Sequence, residues 1–158
     1  MADGACRVAI ASDHAGREMR KGLARCLREW GHEVIDRGPE GEGPVDYPVY
    51  AREVAARVAG GEARFGLLVC GTGIGMTIAA NRFPGIRAAL LYDAFSARHA
   101  RLHNDANVAV FGARTMSFPE AEERLRIFLA QPFEGGRHAR RVELIERLGP
   151  GAAGTPSW

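Results

Sequence analysis

The chain has 158 residues, 46% of them hydrophobic and 25% charged, which suits one globular domain with its own core. A net charge of +2 from 21 basic and 19 acidic residues is too small to point to nucleic acid or an anionic membrane. No apolar stretch approaches the roughly 20 residues of a membrane span, and "MADGACRVAI" lacks the basic and apolar blocks of a signal peptide. A cytoplasmic protein with neither membrane nor nucleic-acid partner is therefore expected.

Short apolar runs alternate with amphipathic stretches. "RVAIAS" (7–12) reads as a buried strand, and 15–30 carries Met19, Leu23, Cys26, Leu27 and Trp30 at helical spacing. "HEVID" (32–36) is a second strand, followed by the loop "RGPEGEGPVDYP" and a helix that Pro48 opens. "FGLLVC" (65–70) is the third strand; its glycine loop leads into a helix over 74–82. "RAALLY" (87–92) and "NVAVFG" (107–112) are the fourth and fifth strands, with a helix from Ala94 to His103 between them. Ser117 and Glu120 form an S-x-x-E capping box for a helix that buries Leu125, Phe128 and Leu129, and a last helix covers 138–148. Residues 149–158 have no periodicity and read as a flexible tail after a single domain over 1–148.

Five strands separated by helices predict an α/β, three-layer, Rossmann-like fold with a parallel sheet and helices on both faces. A strand order of 2-1-3-4-5 is expected. Ligands in such sheets bind beyond the carboxyl ends of the strands. On this reading "SDH" (12–14), Cys70 with its glycines, "HND" (103–105) and Arg114 share one rim.

The stretch "VCGTGIGMT" (69–77) excludes several chemistries. Met76 and Thr77 follow Gly75, so a P-loop lysine is missing, and the spacing is not G-x-G-x-x-G. Met76 also occupies the position where a cysteine phosphatase loop needs arginine, and no neighbouring cysteine offers a dithiol. Two readings of Cys70 stay open: a packed core residue, or a thiolate beside backbone N–H groups that converge on an oxyanion. Cys6 and Cys26 read as structural, and the three cysteines make neither a disulfide framework nor a zinc pattern.

Arg137 and Arg141 lie four apart and suit either a phosphate or a solvated helix face, while His138 and Arg140 point elsewhere. His99 and His103 share a helical face without metal-ligand spacing, and Arg98 and Arg101 read as solvated.

Taken together, "ASDHAG", "DYPVYA", "LLVCGTGIGM", "RHARLHNDANV" and "GGRHARRV" resemble the B type of ribose-5-phosphate isomerase, over about residues 7–148. The allose and galactose 6-phosphate isomerases share that family. The resemblance implies an aldose–ketose isomerase without metal or other cofactor, acting on a sugar phosphate. It also implies a homodimer or dimer of dimers whose active sites are shared between subunits. Carried over residue by residue, it makes Cys70 the base that moves a proton between C2 and C1. Gly71, Thr72, Gly73, Ile74 and Gly75 would hold the enediolate oxygens, with the Thr72 hydroxyl assisting. His103 would open the furanose ring, Asp13 and Asn104 would orient sugar hydroxyls, and Tyr47 would line the pocket. His14, Arg114, Arg137 and Arg141 would gather around the phosphate. Some relatives place a glutamate just after the loop; Met76-Thr77 stand there here, which selects the cysteine branch.

Overall fold

The computed structural model describes residues 4–148; the expected tail, 149–158, lies outside them. Five parallel strands form the sheet: β1 (Arg7–Ser12), β2 (Glu33–Asp36), β3 (Phe65–Cys70), β4 (Ala88–Leu90) and β5 (Val108–Gly112). The helices are α1 (Arg17–Glu29), α2 (Tyr47–Ala59), α3 (Ile74–Ala80), α4 (Ala94–Leu102), α5 (Phe118–Ala130) and α6 (Arg137–Glu146). Every element expected from periodicity is present, within two residues at most boundaries.

Alternation along the strands divides the core into two layers. Val8, Ile10, Leu67, Val69, Ala109 and Phe111 face one cluster, which Leu23 and Leu27 of α1, Ala97 of α4 and Leu125 and Phe128 of α5 complete. Ala9, Ala11, Leu68, Cys70, Val108 and Val110 face the other, closed by Ala51 and Val54 of α2 and Met76 and Ala80 of α3. Each of the larger aliphatic side chains contributes about 1.5–3 kcal/mol by leaving water. The helix starts are set locally. Asp93 Oδ1 accepts the Ser96 N–H at 2.6 Å to open α4, and Glu120 Oε2 accepts the Ser117 N–H at 2.7 Å to open α5.

The strand order is β2-β1-β3-β5-β4, which corrects the expected 2-1-3-4-5. Every residue of β5 is buried, as a strand paired on both sides must be, whereas Ala89 and Leu90 of the three-residue β4 are half-buried at the edge. Both runs read as apolar in sequence; only their two-sided pairing separates them. Arg101 is a second correction. It is buried rather than solvated, with Nη1 donating to Asp105 Oδ1 at 2.6 Å and to the Ala106 carbonyl at 2.8 Å. Its guanidinium lies over the rings of Phe65 and Phe128, so one charged group closes the end of the core.

Candidate active site

β1 and β3 are neighbours, and the chain departs to opposite sides from them, so a crevice opens beyond their carboxyl ends. Cys70 ends β3 with its side chain on the α2/α3 face, and it is 5% exposed. The chain turns sharply behind it because Gly73 takes φ +80°, a left-handed conformation that glycine adopts freely. That turn aims the Gly73 N–H at Cys70 Sγ, 3.2 Å away, where it would stabilise negative charge on sulfur. The Ile74 N–H reaches Thr72 Oγ1 at 3.3 Å, and the Thr72 side chain stands at the exposed mouth of the loop.

Neighbouring strands and loops close on this turn. Past the strand ends, Ala113 N–H donates to the Cys70 carbonyl and Arg114 N–H to the Gly71 carbonyl, each at 2.8 Å. Arg114 thus lies across Gly71: a Cβ added there would sit 3.3 Å from its guanidinium. Tyr47, the first residue of α2, covers Gly75 so closely that a Cβ on that glycine would be 2.7 Å from the ring. From β1, Asp13 is buried and its Oδ1 accepts the Gly16 N–H at 3.0 Å. His14 is exposed, and its Nδ1 accepts the Val45 N–H at 3.2 Å. The proton of a neutral His14 therefore sits on Nε2, as a donor. Met76 is fully buried in the α2/α3 core, away from the loop mouth.

So Asp13, His14, Tyr47, Cys70, Gly71 to Gly75 and Arg114 come together at the rim where strands end. The remaining expected site residues do not. A helix between two parallel strands runs antiparallel to them, and α4 carries the chain about 14 Å back over its nine residues. His103 and Asn104 consequently lie where strands begin. Arg87, just before β4, donates Nε to the carbonyls of Asn104 at 3.1 Å and Asp105 at 3.0 Å, and Ala106 and Asn107 lead straight into β5. The α5–α6 turn joins them, with Glu134 N–H donating to the Leu102 carbonyl at 3.0 Å, and α6 ends at an ion pair between Glu146 and Arg87. Arg137 and Arg141, both exposed, belong to this second group. The single rim read from the sequence is two opposite rims, separated by the length of the sheet.

At the second rim the structure adds residues that sequence reasoning set aside. His138 does not point elsewhere. It is 4% exposed and stacks on His103 with ring centroids 4.1 Å apart and planes 8° from parallel. Glu134 faces both rings, 3.7 Å from His103 Nε2 and 3.9 Å from His138 Nε2. These three side chains bring potential metal donors within 4.8 Å of one another. A ring nitrogen directs its lone pair in the ring plane, however, and two near-parallel planes do not meet at one ion. The Arg137 Nε–H also points to His138 Nε2, at 3.5 Å, so a cation there would meet a guanidinium. The geometry favours a stacked pair over a metal centre. Nothing in the sequence pointed to His138, because the packing of α6 on the end of α4 joins segments far apart in the chain.

Burial pushes the His138 imidazole below its ordinary range, with the charges of His103, Arg137 and Arg141 acting in the same sense against Glu134. Burial also lowers His32, whose Nδ1 accepts the Cys6 N–H at 3.3 Å. Both groups take up protons more readily unfolded than folded, so stability falls as pH drops through about 6.5, the ordinary histidine value. Thermal unfolding is expected to show a lower midpoint at pH 5 than at pH 7, and His32→Gln should reduce that drop. An equal drop in the variant would remove His32 from the account.

The matched region of a family model described as Ribose/Galactose Isomerase runs over residues 8–145. The chain belongs to that family. It is 45% identical over 142 residues to ribose-5-phosphate isomerase B of Escherichia coli, covering 90% of this chain and 95% of that one. A putative sugar phosphate isomerase of Bacillus subtilis is 47% identical, over 88% of this chain and 94% of its own. Among solved structures, Clostridium thermocellum ribose-5-phosphate isomerase B superposes with a TM-score of 0.89 at 42% identity, over 90% and 96% of the two chains. The Mycoplasma genitalium enzyme, solved with bound ribulose-5-phosphate, gives 0.86 at 38% identity over 90% and 95%. The family resemblance and the α/β fold expected from the sequence are both borne out.

Proposed function

We propose that the protein is an aldose–ketose isomerase interconverting ribose 5-phosphate and ribulose 5-phosphate, with Cys70 as the base. The observation that carries this reading is the Cys70–Gly75 turn: a nearly buried sulfur facing a backbone N–H, under Tyr47 and beside Arg114. Membership of the family and the isomerase relatives supply the reaction class. In the proposed sequence His103 protonates the ring oxygen as the C1–O4 bond breaks, while the O1 hydroxyl proton passes to water. Cys70 then removes the C2 proton and returns it at C1, the O2 hydroxyl proton passes to O1 with the Thr72 hydroxyl assisting, and the amides of 71–75 hold the enediolate oxygens. Asp13 and Asn104 orient hydroxyls. His14, Arg114, Arg137 and Arg141 bind the phosphate, whose remote binding energy positions the reacting carbons. No metal or other cofactor enters this chemistry.

Because Cys70 and His103 lie at opposite rims of one chain, the complete site requires a second copy, which brings its own His103, Asn104, Arg137 and Arg141 to the first copy's Cys70. This arrangement supports a homodimer or a dimer of dimers. The β4 edge of the sheet supports it: Ile78 is 62% exposed and Phe95 68%, with Tyr92 and Ile74 also exposed, beside a cleft of about 830 Å³ lined by Phe83, Ile86 and Ile145. Such a surface suits burial against another chain. We place the enzyme in the cytoplasm, consistent with a phosphorylated metabolite as substrate, and no helix among the described residues is long and apolar enough to cross a membrane.

The deciding measurement is turnover on ribose 5-phosphate against allose 6-phosphate. Preference for the pentose is expected; a preference for the hexose would keep the chemistry and change the substrate. No turnover on either would leave a sugar-phosphate-binding protein.

A further inference from the structure

We propose that His138 and Glu134 are positioning residues for His103, holding its imidazole in one orientation for ring opening. The proposal rests on the reading of His103 given above. His103 occupies the C-cap of α4, and its side chain is 36% exposed, a position where an imidazole ordinarily samples several rotamers. Here contacts from three elements restrain it. His138 of α6 lies flat against one face at 4.1 Å, and His99 of α4 meets the ring edge to face at 4.7 Å. Glu134, from the α5–α6 turn, sets its carboxylate 3.7 Å from Nε2.

Each restraint is itself held. His99 stacks on Phe95 at 3.9 Å and donates Nδ1–H to the Phe95 carbonyl at 2.9 Å, so four rings stand in file along α4 and onto α6. His138 is buried and turns its Nε2 to the Arg137 Nε–H at 3.5 Å, an arrangement that suits the neutral ring. A neutral platform does not repel a protonated His103. Arg137 and Arg141 are the other charges facing the pair, and both lower His138's hold on a proton. The Glu134 backbone N–H bonds to the Leu102 carbonyl, which fixes where its side chain starts, and the carboxylate lies 3.7 Å from the Nε2 edge. The stack sets the ring plane, and the carboxylate sets which edge faces it.

The test compares His138→Ala, His138→Phe and Glu134→Gln in the full-length protein, with two readouts. The first is the NMR ring-current shift of the His103 imidazole, which reports stacking whatever the activity. The second sets turnover on ribose 5-phosphate, which must be opened, against solvent exchange of the C1 hydrogen of ribulose 5-phosphate, which is already acyclic. His138→Ala is expected to lose the ring-current shift and roughly ten- to a hundredfold of kcat on ribose 5-phosphate, with KM and C1 exchange within about twofold. His138→Phe keeps the platform and is expected to keep both shift and turnover. Glu134→Gln, an exposed change that folding tolerates, should keep the stack and lose part of the same kcat. An unchanged His103 shift in His138→Ala, or equal losses in Ala and Phe variants, overturns the positioning role. Loss of the shift with full turnover would overturn it too, since His103 would then open the ring without the stack; His103→Ala, losing turnover on ribose 5-phosphate but not C1 exchange, tests the ring-opening role separately.

Discussion

Cys70→Ala is expected to lower isomerisation by about a thousandfold or more while the sugar phosphate still binds. No carboxylate stands in the first turn of α3 to take over, because Met76 there is fully buried in the core. The amides and cationic side chains proposed to hold the enediolate and the phosphate remain in the variant, so affinity should survive where proton transfer does not. The substitution removes one sulfur from the α2/α3 layer, and a modestly lower unfolding midpoint is the expected structural cost. Binding by calorimetry, turnover by a coupled assay and C1-hydrogen exchange on ribulose 5-phosphate separate these effects. Near-normal exchange would return Cys70 to the packed-core reading that its burial alone allows. Cys70→Ser sharpens the comparison. It keeps a polar atom near the Gly73 N–H, but a hydroxyl is a far weaker acid than a thiol, so activity should remain low.

What the sequence showed and what it concealed divide along one physical line. Helices and strands were legible because burial imposes periods of 3.6 and 2 on the side chains. The cysteine half of the proposed site was placed on one rim too, since Cys70 ends a strand and Asp13 and Arg114 follow one by no more than two residues. The other half was misplaced because α4 reverses direction: His103 follows β4 in sequence, yet the helix returns it to the rim where β4 began. Contacts between remote segments were hidden for a related reason. Arg101 looks solvated until Asp105, Phe65 and Phe128 are brought to it, and His138 looks idle until the α5–α6 turn sets it on His103. The strand order was a similar case, decided by two-sided burial of β5 rather than by its composition.

The two-rim geometry makes its own test. Cys70→Ala and His103→Ala chains, each nearly inactive alone, are expected to regain activity when co-expressed. In the two-fold dimer proposed above, each site would take Cys70 from one chain and His103 from the other. A mixed dimer therefore contains one site lacking both residues and one site lacking neither. Purified through two different tags, it should show about half of wild-type turnover, and a random mixture about a quarter. Were the two residues to act within one chain, every site would lack one of them and the mixed dimer would stay at background. Ring opening without enzyme does not blur this outcome, because Cys70 is absent from every site that lacks complementation in the mixed dimer. Gel filtration of the same sample fixes the copy number, since in a dimer of dimers the two tags also retain tetramers built from like-chain dimers, and the expected activity falls to roughly 0.3 of wild type at twice the mass. The expected rescue thus depends on one structural fact, the direction of α4 between β4 and β5.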